Sequence, residues 1–320
     1  LVYIIAAITL RMVSGNGAGR SPLREPVVPR PALGGTIAPS RAGFTLVEFI
    51  MAVAMASIVL GAVYRILVSN QRFYRAQGQI VDVQQNVRAV AEILSAELRE
   101  LDAADGDIIS MSDTSITIGA TRGISVICAA PDVAGGKITV RNSLTYGYRA
   151  ADPTRDSVLV FSDGNTQLTT DDRWLHAPAA AVTAGVSCPD GSAATRYVLT
   201  GMVGGIAQLT TVTDGSPVRI FEVVNYRLYN DGTGTWWLGV RGFVSGAWAA
   251  TSPVAGPLRP TDGIGFTYYD ASGAVTASRA DVAQIGLAVR GRSTQPIQVQ
   301  GRPSGRYQDS LNVRVALRNN

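Results

Sequence analysis

Residues Phe44 to Tyr64 read FTLVEFIMAVAMASIVLGAVY, 21 consecutive residues in which Glu48 is the only side chain that ionises at neutral pH. At about 1.5 Å rise per residue, a helix of that length crosses the roughly 30 Å hydrocarbon layer of a bilayer. A secretory signal has a shorter apolar core followed by a small-residue cleavage site. Here the Ala-x-Ala of Ala52 to Ala54 falls inside the run, so the segment predicts a membrane helix that stays with the mature chain. A carboxylate at the centre of such a helix costs about 2.5–3.5 kcal/mol, and less near the interface. Glu48 is therefore expected at the membrane edge or beside a positive partner.

The residues on either side differ sharply. Positions 1 to 43 hold Pro22, Pro26, Pro29, Pro31 and Pro39 among scattered Gly and Arg, a composition that resists regular structure and reads as a leader. The chain opens on Leu rather than Met, which leaves Met12 as a candidate translation start. Beyond the run, Ile80, Val83, Val87, Val90, Leu94, Leu98 and Leu101 recur at steps of three and four. That stripe predicts one amphipathic continuation of the helix to residue 101, laid on whatever follows. Asp102 to Asp107, with Gly106, marks its end.

After Asp107 the period becomes two. Val218 to Leu228, Ile285 to Val289 and Leu311 to Leu317 alternate apolar and polar side chains, the pattern of half-buried strands. Asp163-Gly164, Asp231-Gly232 and Ser272-Gly273 are turn signals between such runs. The stretch from Gln167 to Ser187 reads as a long loop. The expected architecture is α+β: a long N-terminal hydrophobic helix packed on a globular domain rich in antiparallel β-sheet, with leader 1–43, helix 44–101 and body 102–320.

Charge and reactive side chains exclude several functions. The net charge is +4, and all of it resides in residues 1 to 43, so the body carries no basic excess for nucleic acid. His176 is the only histidine, which removes most material for zinc sites and histidine-based catalysis. No metal and no cofactor are expected. Asp102, Asp105 and Asp107 lack the bidentate Glu of a calcium loop and read as a helix-ending turn. Gly15, Gly17 and Gly19 have neither a preceding strand nor a following helix, so they do not make a nucleotide loop. Trp236 and Trp237 should face opposite sides of a strand. His176 is expected on an exposed loop. Cys128 and Cys188 form a disulfide if the body is exported, or otherwise stand as two buried thiols.

Arg41-Ala42-Gly43 followed by Phe44-Thr45-Leu46-Val47-Glu48 admits a sharper reading. A cut after Gly43 would make Phe44 a new amino terminus one helical turn from Glu48, and a neighbouring subunit's carboxylate could neutralise that amine. GFTLVEFIMAVAMASIVLGAVYRIL resembles the type IV prepilin signature. The resemblance implies cleavage of Gly43-Phe44 by a membrane prepilin peptidase, methylation of the Phe44 amine, and a role for Glu48 in entering the filament. Residues 70 to 100 are similar to the post-membrane helix of PilW-type minor pilins, through Tyr74, Arg75, Gln77, Gln85, Asn86, Arg88, Leu98 and Arg99. FEVVNYRLYND and GIGFTYYDASG look like strands of that group.

Arg65 stands at position 22 after the cut, where many major pilins carry Pro, which points to a minor or accessory subunit rather than the shaft protein, and the resemblance to PilW-type minor pilins implies a place at or near the tip. The implied partners are other major and minor pilins, met through the N-terminal helix, together with the prepilin peptidase and the assembly machinery of the inner membrane. The precursor would sit in that membrane and the mature chain in an extracellular filament. Such subunits act structurally, not as enzymes, and are associated with initiating assembly. A J-type pseudopilin of a type II secretion system would share the same stem. A signal-anchored extracellular enzyme or binding module is the alternative of another class.

Overall fold

The computed structural model describes residues 45–164, 167–168, 170–297 and 304–318. Helix α1 (Leu46–Arg99) is 54 residues long. The chain divides into two compact units between Leu60 and Gly61. Within the first, described from Thr45, α1 is apolar and wholly exposed, with Leu46 76% and Ile58 73% accessible. It is long and apolar enough to cross a membrane.

The second unit contains the rest of α1 and the strands. These are β1 (Ile108–Met111), β2 (Ser115–Asp132), β3 (Lys137–Arg141), β4 (Tyr146–Gly147), β5 (Asp156–Ser162), β6 (Arg173–Ser187) and β7 (Ala193–Leu199). They continue with β8 (Pro217–Asn230), β9 (Trp236–Val244), β10 (Ala247–Trp248), β11 (Ser252–Leu258), β12 (Ile264–Tyr269), β13 (Gln284–Arg292) and β14 (Gln308–Ala316). The long N-terminal apolar helix followed by a large antiparallel sheet is the α+β architecture expected from the two hydrophobic periods.

From Val83 to Leu98 the predicted stripe is the packed face of α1, which ends at Arg99 rather than at the expected residue 101, and Ile80 is only partly buried. Val83, Val87, Val90, Leu94, Leu98 and Leu101 are buried against Ile116 and Ile118 of β2, Tyr226 of β8 and Ile285, Leu287 and Val289 of β13. The approach to the sheet is close: a methyl group on Gly291 would lie 2.6 Å from Val87 Cγ2 and 2.8 Å from Val83 Cγ1. Only glycine fits there without moving the helix. α1 is also tied electrostatically. Arg122 of β2, largely buried, bonds Glu97 of α1 at 3.0 Å and Glu222 of β8 at 3.3 Å. Arg149 grips Asp156 through two 2.6 Å bonds and reaches the same Glu222 at 3.1 Å.

A second core lies away from the helix. Antiparallel pairings run β2–β3, β3–β7, β7–β6, β6–β5 and β5–β8, and β8 returns to β2. The ring therefore closes into a six-stranded barrel, which removes sheet edges. Its interior holds Ile127, Ile138, Val140, Val158, Val160, Leu175, Val218 and others. β2 and β8 belong to both cores; their outer halves join the sheet beneath α1.

The structure corrects two expectations. The stretch from Gln167 to Ser187 is not a long loop: Arg173–Ser187 is β6, its first half paired to β5 and its second to β7. Partners on both sides stabilise backbone that an Ala-rich sequence with Pro178 does not mark as a strand. His176 is accordingly not on an exposed loop. It lies half-buried in β6 with its ring 5.2 Å from that of Phe221, and its Nε2 is buried without a hydrogen-bond partner among the described residues. Burial lowers its pKa from the usual imidazole value.

Candidate functional site

The start of α1 is built by two side chains. Thr45 precedes the first helical residue and Glu48 is the third residue inside. The Thr45 amide and hydroxyl each donate to Glu48 Oε2 at 3.0 Å, and the Glu48 amide donates to Thr45 Oγ1 at 3.3 Å. These reciprocal bonds form a capping box, which satisfies N–H groups that a helix's first turn leaves without partners. The carboxylate also sits at the positive end of the helix dipole. Farther in, the Ser57 hydroxyl donates to the Val53 carbonyl at 2.8 Å. Each of the three polar side chains between Thr45 and Leu60 is thus bonded within its own segment, as a hydrocarbon environment requires.

The surrounding surface is wholly apolar. Val47, Phe49, Ile50, Met51, Met55, Ile58 and Leu60 are all more than half exposed. A patch of this extent marks a membrane or protein interaction surface. Gly43 and Phe44, the expected cleavage and methylation residues, lie outside the described residues. The described geometry begins one residue later, at Thr45. Sequence reasoning passed over Thr45, although Thr-x-x-Glu ahead of an apolar run is a recognisable cap signal.

The other singled-out residues lie in the second unit. Cys128 of β2 and Cys188, one residue after β6, are joined as a disulfide with their Cα atoms 5.7 Å apart. Trp236 packs against the core beneath α1. Trp237 donates its indole N–H to Asp231 at 2.9 Å.

Asp102, Asp105 and Asp107 do form the turn that follows α1. Asp107 Oδ2 accepts from the Asp102 amide at 2.9 Å and from Arg219 at 2.8 Å. Among the described residues, no group of three or more His, Cys, Asp or Glu side chains is arranged to hold a metal. At Asp105, partial desolvation and the neighbouring Asp102 and Asp107 charges push the pKa up to about 6.

Between the ordinary aspartate value and about 6, the folded carboxyl holds a proton that the unfolded chain has released, so stability falls as pH rises through that window. Asp105→Asn is expected to stabilise the protein at pH 7 by about 1 kcal/mol or less, since solvent screens this exposed site. The gain should disappear near pH 4. Urea unfolding at the two pH values measures it, and an equal gain at both would contradict the assignment.

Residues 39–64 match the family model described as the prokaryotic N-terminal methylation motif. The match takes in Gly43, Phe44, Thr45 and Glu48. No curated protein and no solved structure matches the chain. The motif implies processing by a prepilin peptidase, a membrane-anchored precursor and assembly with other pilins into a filament. A prepilin-type methylation motif at the head of a capped apolar helix, followed by a large antiparallel β domain, supports a type IV pilin or pseudopilin in the general sense.

Proposed function

We propose that this chain is a PilW-like minor pilin of a type IV pilus, inserted into the filament through α1 and active in initiating assembly at or near the tip. It works as a structural subunit, without catalytic turnover. The precursor resides in the inner membrane, and the mature chain passes to an extracellular filament. Its partners there are other major and minor pilins, met through the apolar face of the helix.

The observation that carries this reading is the capping box at Thr45 and Glu48, immediately after the Gly43-Phe44 junction. The helix is closed at the point where a cut chain would begin. Its carboxylate stands at the fifth position after the cut, and its first four turns offer apolar surface with each polar side chain bonded within the segment. Assembly in this scheme moves the stem from lipid into a bundle of like helices. Since lipid tails are as apolar as Leu, side-chain packing and the few polar contacts decide whether the transfer is favourable. Arg65, in place of the Pro of many major pilins, supports a minor role.

Processing gives the direct test. Gly43→Leu is expected to leave an uncut precursor that runs heavier on a gel by the whole leader, whereas the unaltered chain yields a mature species beginning at methylated Phe44 by mass spectrometry. Normal processing of the Gly43→Leu chain would refute the cleavage step. Recovery of the mature chain from sheared, purified pili, together with its loss from pili when processing is blocked, would support the filament assignment.

A further inference from the structure

We propose that the cleft between the β8–β9 turn, the end of β11 and the end of β13 binds a small tetrahedral oxyanion, a phosphate or sulfate group, either free or carried on a sugar. The cleft has a volume of about 220 Å3 and is lined by Arg292, Arg306, Thr235, Thr294, Trp236 and Pro257, among others. That volume lies below the roughly 300–1,000 Å3 of sites for drug-sized ligands, so it suits a single compact group.

The charge of the cleft is uncompensated. Among the described residues, no carboxylate lines it. From residue 282 to 308 the sequence has four arginines, Arg290, Arg292, Arg302 and Arg306, and no Asp or Glu. The carboxylates of the adjoining turns are already engaged: Asp231 accepts from Trp237 and Thr233, and Asp262 pairs with Arg259 at 3.0 Å.

Arg292 Nε is buried and has no hydrogen-bond partner among the described residues. A buried guanidinium N–H without an acceptor is costly, and buried polar groups are ordinarily satisfied by protein, water or ligand. Arg306 donates one bond, to the Ser293 carbonyl at 3.3 Å. A guanidinium carries five donors, so most of its capacity remains. The donors reach the cleft from three chain segments rather than from a single fork. That distribution suits the divergent oxygens of a tetrahedral anion better than the two coplanar oxygens of a carboxylate.

Isothermal titration calorimetry on the full chain in neutral detergent, at constant ionic strength, tests the site with inorganic phosphate, inorganic sulfate, acetate and galactose 6-sulfate. Saturable binding of phosphate or sulfate is expected, weakened about ten- to a hundredfold in Arg292→Gln and in Arg306→Gln, the factor carried by one charge-assisted hydrogen bond. Tighter binding of galactose 6-sulfate than of sulfate would assign the group to a sugar carrier, and equal binding would assign it to the free ion. Arg306 is exposed, so Arg306→Gln keeps the test available if Arg292→Gln does not fold. Absence of saturable heat with both inorganic ions, a preference for acetate, or unchanged affinity in Arg306→Gln would overturn the proposal.

Discussion

Replacing Cys128 and Cys188 together by Ala is expected to lower the unfolding free energy of the β domain by about 4 kcal/mol, the loop-closure value for a bridge between residues 60 apart. Both cysteines are buried, in a small cluster with Ala194 and Val186, and Ala introduces no polar atom there. The bridge holds the part of β2 that pairs with β3 to the β6–β7 turn. That turn is secured at its surface by Arg141, which bonds Asp190 and Ser192 at 2.6 Å each. Hydrogen bonds from the Ser192 hydroxyl and amide, followed by the Arg141 guanidinium, hold the exposed Asp190 carboxyl well below the ordinary range. Denaturant unfolding of the oxidised protein and the double Ala variant measures the difference. Coincident midpoints would contradict the loop-closure value.

Glu48→Ala and Glu48→Gln together separate the capping role that the geometry shows from the charge pairing proposed for the same side chain. Glutamine can occupy the third position of a capping box, because its amide oxygen accepts from Thr45 as the carboxylate does. It cannot neutralise a neighbouring amine. If charge pairing to the Phe44 amine of an adjacent subunit controls entry into the filament, both variants should accumulate normally in the membrane. Both should then fall in purified pili by about tenfold or more, the range of a charge-assisted contact. Incorporation of Glu48→Gln at the unaltered level, with Glu48→Ala defective, would make the residue a helix cap and remove the pairing from the mechanism. Incorporation of both at the unaltered level would remove Glu48 from assembly altogether.

The stem was legible because its information is local. Twenty-one apolar residues, one carboxylate at a fixed offset and a three-to-four-residue stripe from Ile80 onward are patterns within one helix. The structure places the stripe's residues from Val83 to Leu101 in the core. β8, β13 and β14 were legible for the same reason, since alternation reports which side of a strand is buried. β6 was not: RWLHAPAAAVTAGVS lacks regular alternation and becomes a strand only because β5 and β7 supply its hydrogen bonds. Thr45 lay between these cases, marked by a spacing that was present but passed over.

The sequence by itself determined an apolar helix continuing into an amphipathic one, the prepilin-type motif at its head, and an antiparallel body. Tertiary structure alone decided that β8 returns to β2 and closes a barrel, that Glu97, Arg122 and Glu222 share one part-buried network, and that Arg292 and Arg306 line a cleft without a carboxylate among the described residues. Periodicity records which face of a segment avoids water. It holds no record of which distant segment covers that face, because such pairings depend on burial and hydrogen bonding summed over the whole chain.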